Sequence, residues 1–159
     1  MFTEFNLENL EDSKEILENL LNENRIKIKE LLAIEDKTYK NFVLPFQEIG
    51  ESIGEFVTPI FHIDSVKNSE ITTKVYEECL PVLSKYETEI SQDENIYLAL
   101  KDIQSNEKST LNSIQNKVLE NEIRDFKLSG CHLENNKKKR LEEINLRLSE
   151  LSHKYSVNL

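Results

Sequence analysis

"YEECLPVLSKYETEISQDENIY", residues 76–97, decides the fold class, because one helix ends and another begins within it. The apolar positions here and just upstream recur at steps of three and four, which places them on one face of a helix: Ile71, Val75, Cys79, Val82, Tyr86 and Ile90. Pro81 cannot donate to the carbonyl four residues back, so we expect a kink near Glu77. Asp93 is a suitable cap for a shorter helix that extends through Ile103.

Helical spacing continues on both sides of this stretch. Upstream, the apolar residues between Asn6 and Ile34 predict a long amphipathic helix capped by Asn6. "EDKTYKN", residues 35–41, interrupts the pattern, and Thr38 or Asn41 opens the next helix. Pro45 suits the first turn of that helix. Its apolar positions are Val43, Phe46, Ile49, Ile53, Phe56, Val57, Ile60 and Phe61.

The run "EFVTPIFHIDSV", residues 55–66, is open to two interpretations. It is rich in aromatic and β-branched residues, which favours a strand, whereas the length of the pattern favours a helix. In a helix, Pro59 must kink or interrupt the chain. Asn68 or Ser69 then caps the helix that contains Pro81.

The remaining residues predict two more helices. Ser109 opens the first, whose inward positions are Leu111, Ile114, Val118, Leu119, Ile123 and Phe126. Gly130 ends it as a left-handed cap residue. The second begins at about Glu134, and one face of it carries Leu141, Ile144, Leu148, Leu151 and Tyr155. We therefore predict an all-α fold, an antiparallel array of about six helices with short connections, forming a single domain over residues 1–159.

Composition excludes several classes of function. The chain has 159 residues, a formal net charge of −10, three glycines and three prolines, which is typical of a soluble helical protein. The acidic balance argues against nucleic acid as a partner. No run approaches the roughly 20 apolar residues that a membrane span requires. Two cysteines without a secretory signature indicate reduced thiols in the cytoplasm.

A search for chemistry finds no active site. His62, His132 and His153 stand far apart, without the His-Glu-x-x-His spacing that puts two imidazoles on one helical face for zinc. Cys131 and His132 are adjacent, so their side chains diverge and are poorly placed to bind one metal ion. Cys79 belongs to an apolar stripe, which favours a buried thiol over a catalytic Cys–His pair. We predict no catalytic, cofactor-binding or metal-binding residue in the chain.

The charged runs are best explained as solvated helix faces. Acidic pairs occur in "LENLEDSKE", "YEECL" and "RLEEIN". "NNKKKR", residues 135–140, is the one basic run, and we interpret it as surface. The alternatives are docking against acidic residues of another domain and, less favoured, nuclear targeting or nucleic-acid binding.

Four stretches, in order along the chain, resemble the amino-terminal region of the oligopeptidase A and thimet oligopeptidase family of zinc metallopeptidases. They are "YKNFVLPFQEIGESI" (residues 39–53), "YEECLPVLSKYETEISQDENIY" (76–97), "RDFKLSGCHL" (124–133) and "RLSELSHKYSVNL" (147–159). The departures are local: Asp93 replaces a family Asn, Tyr155 a Phe and Leu159 a Val. The family's catalytic motif matches nothing here, so no family site residue is carried over.

The resemblance implies a cytosolic parent enzyme that hydrolyses short peptides. In such an enzyme a zinc ion polarises the scissile carbonyl and activates a water, with the motif's Glu as general base. The partners implied are a downstream catalytic domain of the same polypeptide and short peptide substrates. The present segment is expected to form part of the wall of a deep substrate channel, to bind no zinc and to be inactive alone.

The last helix shows no stop signal before Leu159, since Asn158 alone resembles a cap residue. We therefore expect the polypeptide to continue, and the isolated domain to expose apolar surface that the rest covers. The alternative is a free-standing helical module for protein–protein interaction. The coding sequence beyond Leu159 discriminates between the two.

Overall fold

The computed structural model describes residues 10–157 and contains six α-helices and no strand within that range. The α-helices are α1 (Ser13–Ala33), α2 (Leu44–Val66), α3 (Glu70–Ser91), α4 (Glu94–Glu107), α5 (Ser113–Leu128) and α6 (Asn135–Val157). A 3₁₀ turn, Leu10–Asp12, precedes α1, and a π-helical turn, Tyr39–Val43, precedes α2. The predicted all-α array of about six helices is confirmed. Asn6, expected to cap the first helix, lies outside the described residues.

Side-chain caps mark the starts of the π-helical turn and of α3, α4 and α5. The Thr38 hydroxyl accepts from the Asn41 backbone N–H, while the Asn41 side chain accepts from the Thr38 N–H. Ser69 and Thr72 form the same reciprocal pair at the start of α3. Asp93 caps α4 through the Asn95 N–H, at 2.7 Å. Ser69 and Asp93 are therefore confirmed as the caps of α3 and α4, while Thr38 caps the π-helical turn that leads directly into α2.

Ser109 does not open α5, contrary to the sequence prediction. The helix begins at Ser113, because Asn112 forms a capping box with Gln115, with N···O distances of 2.9 and 3.0 Å. Asn112 and Gln115 together satisfy two backbone N–H groups, one each, which favours a helix start at this pair. The predicted left-handed cap is confirmed, since Gly130 has a φ of 81°.

Residues 55–66 are helical, so the strand alternative is wrong. Pro59 lies inside α2 and Pro81 inside α3, and neither interrupts its helix. A proline inside a helix removes one backbone hydrogen bond. Both helices nevertheless continue through the proline, with buried side chains on either side of it.

Two apolar cores hold the helices together. The first lies between α1, α2 and α3 and contains Leu17, Leu21, Ile53, Val57, Ile60, Val75, Cys79, Leu83 and Tyr86. The second joins the π-helical turn to α4 and α5 and contains Tyr39, Phe42, Val43, Ile96, Leu100, Ile103, Leu119, Ile123 and Phe126, among others. Ile71 and Ile114, predicted to face inward, are exposed. Each lies in the first turn of its helix, where the neighbouring helices do not cover it.

Two polar contacts connect distant parts of this framework. The Arg25 guanidinium on α1 pairs with the Glu89 carboxylate on α3 at 2.7 Å. The Tyr39 backbone N–H donates to the Glu107 carboxylate at the end of α4, at 2.6 Å. The first pair holds α1 beside α3, and the second holds the π-helical turn beside α4.

Candidate functional site

The histidines do not converge in the fold. His62 is exposed on α2, His132 is exposed in the turn after α5, and His153 is buried on α6. Over residues 10–157, no three side chains among His, Cys, Asp and Glu are grouped so that they could hold a metal ion. The residues of the described range therefore do not fit the zinc ion that the family resemblance implies.

Both thiols are buried and protonated at neutral pH. Cys79 lies in the first core on α3, as predicted from its stripe, and burial raises its pKa to about 11. Cys131 follows Gly130 and is equally buried, and burial raises its pKa as well. A thiolate is the form that attacks substrates and binds metals, so these environments suit packing and not catalysis.

A polar pocket opens where α2, α3 and α6 meet. Its volume is about 490 Å³, and it is lined by Asp64, Ser65, Asn68, Tyr76, Ser152, His153 and Ser156. Asp64 is buried, and its Oδ1 accepts hydrogen bonds from Asn68 Nδ2 and Thr73 Oγ1, each at 3.0 Å. The carboxylate thus joins the end of α2 to the start of α3.

Stacked rings form the other wall of the pocket. The Tyr76 ring stacks on His153, with centroids 4.0 Å apart and planes at 17°, and tilts against Phe61 at 4.4 Å. Burial, with a smaller contribution from Asp64, raises the pKa of the Tyr76 phenol. His153 Nε2 is buried and has no hydrogen-bond partner within the described chain. The ring stack attaches α6 to the body of the domain and supplies no activated nucleophile.

Sequence reasoning missed this pocket. Asp64, Tyr76 and His153 are far apart in the chain, and only tertiary packing brings them together. One signal was present, because Asp64 is an acidic residue inside the apolar run "IFHIDSV", residues 60–66. A buried carboxylate needs hydrogen-bond donors, which Asn68 and Thr73 supply.

The apolar residues of α6 do share one face, as predicted, but that face points away from the domain. Ile144, Leu148, Leu151 and Tyr155, called here the α6 seam, are 40%, 57%, 46% and 68% exposed. Leu141, one turn earlier, is half-buried.

A family model described as the neurolysin/thimet oligopeptidase N-terminal domain matches residues 17–138. The chain belongs to this family. The match begins at Leu17 in the second turn of α1, covers α2 to α5 completely and ends at Lys138, in the first turn of α6. The family resemblance seen in the sequence is thereby confirmed.

Curated relatives agree with this assignment. The chain is 41% identical to Oligopeptidase A of Escherichia coli over 123 residues, which are 77% of the chain and 18% of the relative. It is 39% identical to Oligopeptidase A of Haemophilus influenzae over 146 residues, 90% of the chain and 21% of the relative. Identity to the probable cytosolic oligopeptidase A of Arabidopsis thaliana is 27% over 141 residues. The chain thus spans about a fifth of the length of these relatives.

The basic run at the start of α6 is partly engaged within the domain. Lys138 Nζ donates to the Gln92 carbonyl oxygen at 3.2 Å and pairs with the Glu94 carboxylate at 2.8 Å. This contact lowers the pKa of Glu94, chiefly through its hydrogen bond. Lys138 therefore fixes the first turn of α6 beside the start of α4.

None of the described helices is both long and apolar enough to cross a lipid bilayer.

Proposed function

We propose that this chain is the non-catalytic amino-terminal domain of a cytosolic zinc metallo-oligopeptidase that hydrolyses short peptides. The family match over residues 17–138 carries the proposal. Residues 1–159 form one helical domain, and a catalytic domain follows in the same polypeptide. The four-fifths of Oligopeptidase A that this chain does not match leave room for such a domain.

The role of the domain in this proposal is exclusion. The two cores and six α-helices of residues 10–157 make a stiff body, because close-packed interiors of this kind resist deformation. As part of the wall of a substrate channel, such a body admits an extended peptide and excludes a folded protein. Only the peptide bonds of an extended peptide therefore reach the catalytic centre.

Hydrolysis belongs to the downstream domain in this proposal. The histidines of the described chain are scattered and its thiols are buried and protonated, which supports a domain without catalytic residues and without a zinc ligand set. The formal charge of −10 disfavours nucleic acid as a partner. Short peptides and the catalytic domain are the partners, and no membrane is involved.

The alternative is a free-standing helical interaction module. One observation favours it, namely the exposed apolar α6 seam. The coding sequence beyond Leu159 separates the two: an in-frame His-Glu-x-x-His motif a few hundred residues downstream supports the enzyme, and a stop codon supports the module.

A peptidase assay tests the division of labour. The 159-residue chain and the complete polypeptide are incubated with a fluorogenic short peptide, with zinc and with a chelator. We expect chelator-sensitive cleavage by the complete polypeptide and none by the 159-residue chain. Chelator-sensitive cleavage by the 159-residue chain would overturn the proposal that it is non-catalytic.

The exclusion role has its own readout. The complete polypeptide is offered one peptide sequence in two forms, free in solution and displayed within a loop of a stably folded protein. Cleavage of the free peptide alone is the expected result. Equal cleavage of both forms would remove the argument for a wall that selects by size.

A further inference from the structure

Helix α6 packs on its own domain through the side opposite its apolar seam. At about 100° per residue, His153 lies roughly 180° around the helix from the seam of Ile144, Leu148, Leu151 and Tyr155. His153 is buried against Tyr76 of α3, the helix that α6 contacts most extensively. The apolar residues of the seam, of the kind that a helix normally buries, are therefore exposed to solvent.

The seam has the spacing of a helix-packing stripe. Its four residues follow steps of four, three and four, which are alternate d and a positions of a heptad repeat. The three g positions beside the seam are Arg140, Arg147 and Lys154, all basic. The e positions on the other side are Asn145 and Ser152, both neutral. The seam thus has one basic edge and one uncharged edge.

We propose that the α6 seam is covered by an amphipathic helix from the catalytic part of the same polypeptide, with aliphatic residues on its packing face and carboxylates along the flank that meets Arg140, Arg147 and Lys154. This inference rests on the proposed function, because it requires a catalytic part. It adds to that proposal the surface through which the two parts meet.

The extent of the family match supports this occupant. The domain model ends at Lys138, so the seam lies outside the unit that the model defines. The match to Oligopeptidase A of Haemophilus influenzae covers 90% of the chain and therefore reaches past residue 138 wherever it begins. At least the first turns of α6 are thus shared with the relative, although most of the helix lies outside the unit that the model defines, as expected for a helix that joins this domain to the next.

The length of the seam favours an intramolecular partner. From Ile144 to Tyr155 it extends for about 17 Å, less than two heptads. A heptad pattern indicates a coiled coil when it is sustained over at least three or four heptads, so this seam is too short to indicate one between separate chains. A tether raises the effective concentration of a partner on the same chain to the millimolar range, which makes so short a contact sufficient.

Charge disfavours a second copy of this chain on the seam. Antiparallel pairing would set basic g positions against basic g positions, and parallel pairing would set them against Asn145 and Ser152. Arg140 and Arg147 already pair with Glu143 and Glu150 of their own helix, through one guanidinium nitrogen each. The remaining N–H groups can engage carboxylates of a partner.

Cysteine labelling tests whether the seam is covered. Leu148→Cys places a thiol on the seam, and Ile114→Cys places the control on α5, where Ile114 is exposed and off the seam. Both native thiols are buried, so slow labelling of Cys79 and Cys131 reports that the chain is folded. Maleimide labelling rates are measured for each variant in the 159-residue chain and in the complete polypeptide.

We expect the thiol at position 148 to react at least about tenfold more slowly in the complete polypeptide than in the 159-residue chain, because it becomes accessible only when the interface opens. The thiol at position 114 should keep its rate. Equal rates at position 148 in the two proteins would overturn the proposal. So would slowing that depends on the concentration of the 159-residue chain, since it would identify a second copy as the occupant.

A charge reversal tests the chemistry of the partner. Arg147→Glu in the complete polypeptide carrying Leu148→Cys should raise the labelling rate toward that of the 159-residue chain, and the increase should shrink at high salt. Arg124→Glu is the matched control, because the two arginine side chains are 61% and 60% exposed and each pairs with a carboxylate on its own helix. Equal effects of the two reversals would overturn the acidic-flank assignment.

The labelling result does not depend on catalysis. Protection at position 148 in a complete polypeptide without zinc-dependent peptidase activity would sink the proposed function and leave the docking surface standing. Full peptidase activity without protection at position 148 would support the proposed function and overturn the docking surface. A stop codon directly after Leu159 would overturn both.

Discussion

Helices α3 and α6 are nearly equal in length, at 22 and 23 residues, and both carry an apolar stripe, yet they use it in opposite ways. Helix α3 turns Val75, Cys79, Leu83 and Tyr86 into the core between α1 and α2. Helix α6 turns its stripe outward and attaches itself to α3 through His153.

The difference shows what helical periodicity does and does not determine. A three-to-four spacing fixes which residues share a face, because that follows from the geometry of the helix. What the face packs against depends on the other elements present. Two neighbours cover the stripe of α3, whereas the partner that we infer for the α6 stripe lies in another part of the polypeptide.

Truncating an inward residue of α3 should have the largest effect. Leu83→Ala removes a buried side chain and should lower the free energy of unfolding by about 2–5 kcal/mol, since the helices around it cannot collapse fully into the space. Denaturant unfolding of the 159-residue chain measures this change.

The matched substitution on α6 should cost little. Leu148 is exposed in the 159-residue chain, so Leu148→Ala should change the free energy of unfolding by no more than about 0.5 kcal/mol. Equal losses for Leu83→Ala and Leu148→Ala would show that the seam is buried even in the isolated domain, and the contrast between the two helices would disappear.

Alkaline pH should lower the free energy of unfolding, in part through the Cys79 thiol of α3. The pKa of Cys79 is raised from 9.0 to about 11 by burial, so the native state retains a proton that the unfolded chain loses. The resulting stability is complete below pH 9 and is lost as the pH rises through 11. A rise of this size corresponds to at most about 3 kcal/mol.

The Cys79→Ala variant isolates this effect. The loss of the Cys79 side chain from the core lowers the free energy of unfolding by the same amount at every pH. Because the variant has no thiol to titrate there, its free energy of unfolding falls less steeply between pH 9 and 11. Subtracting the pH profile of the variant from that of the native chain also removes the contribution of other titrating groups. One of these is Tyr86, whose pKa burial raises to about 12. A difference that stays constant from pH 8 to 11 would mean that the thiol is not held in an apolar environment.

Sequence alone predicted the helices and most of their ends, because caps act over three or four residues. Thr38, Ser69, Asp93 and Gly130 each satisfy or relax nearby backbone, so their roles are visible in a short window. Ser109 was misassigned because it and Asn112 are both good cap types, and only Asn112 has a Gln three residues later. A search for the reciprocal pair would have found the correct start.

The polar pocket and the direction of the α6 seam were beyond sequence reasoning for a different reason. Asp64, Tyr76 and His153 meet only after α2, α3 and α6 have packed. The same packing decides that α6 uses His153, and not Leu148 or Leu151, to contact α3. No local rule places an imidazole on the inner face of a helix that has aliphatic residues available.

The most local expected effect concerns the ring stack that joins α3 and α6. His153→Ala removes the ring that packs on Tyr76 and should lower the protection of α6 amides in hydrogen exchange by about 0.5–1.5 kcal/mol, with α4 amides unchanged. Tyr155→Ala, on the exposed face of the same helix, is the control and should leave α6 protection intact. Equal loss from both variants would show that α6 is held by its propensity and not by the stack. Loss spread evenly over all helices would show that α6 unfolds with the two cores, because its attachment would then be part of one cooperative unit.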